Sequence, residues 1–274
     1  MEVVVFHWVR SRLERLGSAA SLSTAHSALP AGAYTTFRTH GGHRVVRLDD
    51  HVERLNDSAT PAPGNPRLGE DDLRAAVAAA LGATGHAESR VRVTYAPPEL
   101  FVSVEPFHPL PETLYQEGVW CVTTPLRRQN PHAKDTSFID VATEAYRTLP
   151  PGAHEALMVA EDGTLLEGLS SNLFAVLDGA LYTEDARVLP GLTRRLVLEA
   201  AEDLLPRAGR AVRLDELPRV SECFLTSASR EVLPVVRIDD VGIGNGRPGP
   251  IAPALLRRYR EAVGREARSV FSDG

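Results

Sequence analysis

Lysine is nearly missing from this sequence: of its 30 lysine and arginine residues one is lysine, Lys134. Cysteine is scarce too. Cys121 and Cys223 lie far apart and outside any CxxC or Cys/His spacing, which excludes a disulfide framework and a cysteine-ligated metal centre. Both sit in apolar runs, VWCVTT and ECFLT, and read as small buried hydrophobes. No apolar run approaches the roughly 18 residues of a membrane span. The opening MEVVVFHWVR lacks the charged head and cleavage pattern of a secretion signal, so a cytoplasmic protein is expected. An excess of positive charge is absent as well: the net charge is -6 and the pI about 5.9, which argues against a nucleic-acid or anionic-membrane binder.

What remains is a soluble globular chain. Its 274 residues, 43% apolar and 24% charged, suit one large domain or two compact ones. The first hundred residues read as strands with helices between them. A strand is expected over 1–8, a segment of uncertain class over 9–16 and a loop over 18–27. Two β-prone runs, 33–39 and 43–48, flank the pair Gly41-Gly42 and predict a hairpin. Asp49 and Asp50 cap a short helix over 51–58, a loop follows over 60–66, and 69–81 is a strong helix with an acidic first turn. Residues 89–95 alternate, Arg90, Arg92 and Thr94 on one face and Val91, Val93 and Tyr95 on the other, and 100–107 is a second alternating strand. Pro109-Leu110-Pro111 predicts a boundary, with a smaller domain over 1–109 and a larger one over 110–274 carrying the lysine. The second half offers strands over 118–124, 155–160, 180–183, 212–214, 222–226 and 232–238, and helices over 137–148, 194–205 and 253–263. This succession is α+β rather than βαβ.

Two groups stand out chemically. Lys134 follows a Pro-containing loop at the head of a helix, and Glu167, 167 − 134 = 33 residues on, opens a strand after the turn Asp162-Gly163. A lysine at a helix start is ordinarily a solvated surface charge, and a strand-end glutamate likewise. The blocks around them change that weighting: RVVRLDDHVERL at 44–55, LEGLSSNLF at 166–174, LPGLTRR at 189–195 and, more loosely, FLTSASREVLPV at 224–235. In order and spacing they resemble the class IV aminotransferases, the fold-type IV enzymes that use pyridoxal 5'-phosphate.

The resemblance implies a two-domain α+β fold, a small N-terminal domain and a larger, barrel-like mixed β domain with helices. It implies that Lys134 bonds the cofactor aldehyde and then moves the substrate α-proton. It implies that Glu167 faces the ring nitrogen, that Arg47 holds the phosphate, and that the backbone N–H groups of Leu192 and Thr193 cradle it at a helix start. Leu189 then packs on the ring, with Asn172 in a supporting role. In the fifth block Ala228, flanked by Ser227 and Ser229, stands where the family often has a phosphate-binding threonine, and Phe138 lies where branched-chain enzymes carry a tyrosine. Arg92, ahead of Arg90, and Tyr34 are the candidates for holding substrate.

Three activities stay open at this stage: amino transfer between a branched-chain or D-amino acid and a 2-oxo acid, placed first; 4-amino-4-deoxychorismate lyase, suggested by GAYTTFR at 32–38 with Thr36 beside the lysine and by RQNPH at 128–132; and a catalytically silent cofactor binder. The resemblance also implies a homodimer. No metal is expected.

Overall fold

The computed structural model describes residues 2–59 and 66–271; of the loop expected over 60–66 only Pro66 falls among them. The chain divides into two compact units, Met1–His108 with Ala133–Asp140 and Val263–Gly274, and Pro109–His132 with Val141–Ala262.

In the first unit, strands β1 (Val3–Val9), β2 (Arg12–Ala19), β3 (Ala33–Arg38), β5 (Ser89–Ala96) and β6 (Glu99–Pro106) form an antiparallel sheet in the order β2-β1-β6-β5-β3. The run 9–16, of uncertain class in the sequence, is the β1–β2 turn and most of β2. Arg10 and Ser11 both take positive φ, 49° and 58°, the requirement of the two-residue turn that matches strand twist. Of the loop expected over 18–27, residues 18 and 19 extend β2 and Leu22–Ala25 is a short helix, α1, capped by Ser21. Alternation in β5 buries Val91, Val93 and Tyr95. They meet Leu73, Ala76 and Val77 of α3 (Glu70–Thr84) in one apolar core.

The hairpin predicted around Gly41-Gly42 does not form. β3 pairs with β5, while β4 (Arg44–Val46) pairs with a C-terminal strand, Ala267–Ser269. Only a single bridge, His40 to Arg44, joins the two runs. Arg47 then takes the left-handed conformation, φ 50°, and turns the chain into α2 (Leu48–Ser58).

Lys134 clusters with this unit, within the segment Ala133–Asp140. The cause is backbone pairing along the start of β3. Tyr34 N donates to Lys134 O at 2.7 Å, Thr136 N to Gly32 O at 2.9 Å, and Lys134 N to Ser58 Oγ at 3.0 Å. Helix α5 (Ser137–Arg147) begins just after this anchored segment.

The second unit opens with α4 (Glu112–Glu117) and holds β7 (Val119–Thr124), β8 (Ala153–Val159), β9 (Leu165–Gly168), β10 (Asn172–Leu177), β11 (Ala180–Tyr182), β12 (Glu222–Ser227), β13 (Glu231–Ile238) and β14 (Val241–Gly242). Their order is β11-β10-β12-β13-β7-β8-β9, with β14 on β13. β7 runs parallel to β13 and β8, and the other pairs are antiparallel. Parallel neighbours need a crossover, and residues 125–152, which contain Lys134 and α5, supply the one from β7 to β8. Pairing of Asn172 with Glu167 joins β10 to β9 and closes the sheet into a barrel. The strand expected over 212–214 is absent: Arg213 makes one bridge to Thr164, and the chain continues into the 3-10 turn Leu214–Arg219. Helices α6 (Leu192–Ala201) and α7 (Ile251–Glu266) complete the elements. No helix among the described residues is long and apolar enough to cross a membrane.

Candidate active site

In the first unit the structure gathers Tyr34, Thr36, Arg92 and Lys134. Tyr34 and Thr36 lie two apart on β3 and so share a face, and Arg92 is the register partner of Thr36 on β5. The Lys134 ammonium lies 5.1 Å from the centre of the Tyr34 ring and the Arg92 guanidinium 5.0 Å from it. Both are within cation–π range. Arg92 also donates from Nη1 to Leu22 O at 2.6 Å and from Nε to Thr36 Oγ1 at 3.4 Å. Burial lowers its pKa, with Tyr34 opposing.

Behind β3, Thr35 Oγ1 and His51 Nδ1 share a buried hydrogen bond of 2.6 Å, and the His51 ring tilts against Phe37. Burial, then the positive charges of Arg54 and Lys134, hold His51 well below the usual imidazole pKa. His51 and Arg54 are one turn apart on α2. Burial pushes Arg54 down to about 10, the Tyr34 oxygen offsetting part of this, so it stays cationic at neutral pH.

Arg47 lies at the N-terminal end of α2. Its left-handed position at the head of α2 turns the side chain onto Glu266, Nε to Oε2 at 2.5 Å. Arg54 of the same 44–55 block and Lys134 both bear on His51. With His51 at i and Arg54 at i+3, both lie on one helix face.

In the second unit the barrel-closing pair places Glu167 and Asn172 side by side. Glu167, 2% exposed, accepts from Arg128 Nε at 3.0 Å, from Asn172 Nδ2 at 3.0 Å and from Leu189 N at 3.3 Å. Asn172 Nδ2 also donates to Leu189 O at 2.8 Å. Arg128 and Glu167 have side chains only 6% and 3% exposed. A cavity of about 390 Å³ opens beside the pair, lined also by Arg127, Met158, Leu166 and Arg187. Arg128 as partner of this carboxylate was not foreseen, because the pairing is tertiary and no local spacing announces it.

Gly191 precedes α6 and is pressed against Asn172: a Cβ there would stand 2.0 Å from Asn172 Oδ1. No side chain among the described residues caps α6, so its first N–H groups, those of Leu192 and Thr193 among them, have no side-chain acceptor there. Thr226 lies opposite Asn172 in the β10–β12 register, and its buried hydroxyl has no partner among the described residues. A buried carboxylate, an uncapped helix start and an orphaned hydroxyl fit a phosphorylated pyridine: an acceptor for a ring N–H and donors for an anion. Ser227 and Ala228 end β12 and begin the turn to β13. Among the described residues no cluster of His, Cys, Asp or Glu could hold a metal ion.

The family model for class IV amino-transferases matches residues 32–238 of this chain, most of its length. The chain belongs to the class IV aminotransferases. It is 26% identical over 254 residues to a branched-chain-amino-acid aminotransferase of Pseudomonas aeruginosa, covering 83% of this chain and 81% of that protein. To a D-alanine aminotransferase of Bacillus licheniformis it is 27% identical over 269 residues, covering 92% and 94%. Its fold matches a T.th. branched-chain amino acid aminotransferase solved with pyridoxamine 5'-phosphate, with a TM-score of 0.81, 24% identity and 98% coverage of both chains. It matches the branched-chain aminotransferase of Thermoproteus uzoniensis, solved with norvaline, at 0.79, with 24% identity and 99% coverage of both chains. The fold-type IV, α+β reading is thereby shown, as is pyridoxal 5'-phosphate as cofactor. Of the three activities open in the sequence, amino transfer is the one this class IV aminotransferase performs.

Proposed function

We propose that the enzyme moves amino groups between α-amino acids with small or branched apolar side chains and 2-oxo acids. The relatives named for branched-chain amino acids and for D-alanine share that apolar side chain. The cofactor, when bound, supplies an aldehyde that captures an amino group and a cationic ring that withdraws electrons.

Lys134 would hold the cofactor through its aldehyde, and its Nζ is the base that takes and returns the substrate α-proton. The observation that carries this assignment is the setting of the chain's single lysine: half-buried, pinned through its backbone to β3 and Ser58, and stacked over Tyr34. Glu167 holds a proton on the ring nitrogen. The N–H groups of Leu192 and Thr193, with Ser227 and the Ala228 turn, hold the phosphate. Arg54 takes over the phosphate-binding role first expected of Arg47, and Leu189 packs on the ring. Arg92 holds the substrate carboxylate, with Tyr34 against its side chain and Thr36 orienting the guanidinium. The working form is a homodimer, and its place is the cytoplasm.

Borohydride reduction of the cofactor-loaded protein followed by peptide mass spectrometry should put the pyridoxyl adduct on Lys134. With 2-oxoglutarate as acceptor, L-leucine, L-isoleucine, L-valine and D-alanine should include the best donors. Turnover confined to charged amino acids, or release of pyruvate and 4-aminobenzoate from aminodeoxychorismate without any acceptor, overturns the proposal. Light scattering of the loaded enzyme checks the dimer.

A further inference from the structure

A second buried ion pair lies in the barrel unit, and none of the roles above uses it. Glu155 on β8 has a fully buried side chain, and Arg230, in the turn between β12 and β13, is 16% exposed. Arg230 Nη1 donates to Glu155 Oε2 at 3.1 Å and to Ser170 Oγ at 2.9 Å, and Nη2 donates to Tyr146 Oη at 3.2 Å. The Arg230 backbone is held as well: its N donates to Ser227 Oγ at 3.2 Å, and its O accepts from Tyr115 Oη at 3.2 Å. Glu155 Oε2 also accepts from Ser171 Oγ at 3.0 Å and Oε1 from Ala156 N at 3.2 Å.

The two sides of this cluster grip different pieces of the cofactor site. The Glu155 side fixes Gly168, the last residue of β9, and the loop 169–171 that follows it, next to Glu167 in the chain. That loop sits so close that a Cβ on Gly168 would stand 2.4 Å from Ser171 Oγ and 2.8 Å from Glu155 Cγ. The Arg230 side fixes the turn that carries Ser227 and Ala228. The next residue, Glu231, takes a left-handed φ of 55° and is itself held by Arg260, Nε to Oε2 at 2.8 Å.

A buried ion pair adds little stability over apolar packing of the same volume, so its presence is better explained by geometry than by energy. A guanidinium presents several donors in one rigid plane, and here that plane spans a strand, a loop and a helix. We propose that Arg230 and Glu155 are positioning residues. They lock the Ser227–Ala228 turn to the loop behind Glu167, so that the phosphate contacts and the ring-nitrogen contact are set at a fixed separation. This replaces, by rigidity of the turn, the hydroxyl that the chain lacks at Ala228. The inference rests on the cofactor assignments proposed for Glu167, Ser227 and Ala228.

The test measures the pyridoxal phosphate dissociation constant by absorbance titration of apo-protein, together with KM and kcat for the amino donor. It compares wild type with Arg230→Lys, Tyr146→Phe, the double variant Glu155→Gln/Arg230→Met and, as a control, Arg258→Lys in the exposed pair with Asp203. Arg230→Lys keeps the charge but not the fork. It should weaken cofactor binding about tenfold, the equivalent of one charge-assisted contact, and shift the absorbance maximum of the bound cofactor. Tyr146→Phe leaves no buried charge unpaired and should weaken binding by a smaller factor in the same direction. The double variant keeps the core uncharged and should fold with a native circular dichroism spectrum yet bind the cofactor at least as weakly as Arg230→Lys. Arg258→Lys should change none of these. Wild-type constants in Arg230→Lys and Tyr146→Phe would sink the positioning role alone, whether or not the double variant folds. Failure of the wild type to bind the cofactor overturns the underlying site assignment with it.

Discussion

Arg128 Nε donates to Glu167 Oε1 across 3.0 Å, and both side chains are almost wholly removed from solvent. Such a pair fixes the direction of the carboxylate as much as its charge. Glu167→Gln leaves the Arg128 guanidinium buried without its counter-charge, a loss of about 3–5 kcal/mol by comparison with other broken buried pairs. The variant should therefore melt well below the wild type. Loss of the ring-nitrogen proton should also lower kcat by about a hundredfold or more, within the range of a lost proton-holding group. Pairing Glu167→Gln with Arg128→Met should restore much of the melting temperature and none of the rate. Recovery of both would remove Glu167 from the chemistry.

Lys134→Ala removes the sole side-chain amine. Borohydride should then fix no cofactor to the chain, and kcat should fall by at least about a thousandfold, the upper part of the range for a general base. Because the Lys134 anchors are backbone bonds to Tyr34 and Ser58, the melting temperature should change little. A large thermal loss would show the ammonium to be structural.

Arg54 and Arg47 make opposite predictions. Arg54→Ala should raise the pyridoxal phosphate dissociation constant by about tenfold to a hundredfold, as for a lost charged hydrogen bond of about 1.5–3 kcal/mol. Arg47→Ala removes a partly exposed pair with Glu266, worth about 1 kcal/mol or less, and should leave cofactor affinity unaltered. Titration of the two apo-variants decides between them, and the reverse pattern would reinstate Arg47.

His51 gives the fold a pH dependence. Its pKa is held below that of the unfolded chain, so in the window between the two values the unfolded state binds the extra proton. Stability is then full above about 6.5, the unfolded value, and declines as pH falls through and below it. His154, lowered by burial and by Arg230, acts in the same sense. Asp162 and Glu216, both lowered to about 2, lose their contributions only at more acid pH. Melting temperature should fall between pH 7 and pH 5, and His51→Gln should flatten that slope. An unchanged slope would assign the loss to other groups.

The parts of this fold that could be read in the sequence are those whose signals are local. The alternation of residues 89–95 and the acidic start of α3 gave their elements directly. The blocks around Lys134 and Glu167 named the chemistry because they are contiguous in the chain. The misses share a different cause. The β1–β2 turn is Arg10-Ser11 rather than Asn-Gly, so its positive φ values left no compositional mark. The 43–48 run reads as the partner of 33–39 because of the glycines between them, yet its mate lies at Ala267–Ser269, a pairing too distant for any window to register. Arg47 and Arg54 occupy one block with equal charge, and the left-handed backbone of Arg47 at the head of α2 is equally silent in composition.

The isolation of Lys134 among arginines has a practical corollary. Guanidinium groups resist acylating and reductive-alkylating reagents at neutral pH, so a reagent of that kind meets one side-chain target in the whole molecule, half-shielded against Tyr34. Its labelling rate in the purified protein, with and without cofactor, becomes a gauge of occupancy, and the arginine side chains remain unmodified for attachment by other means.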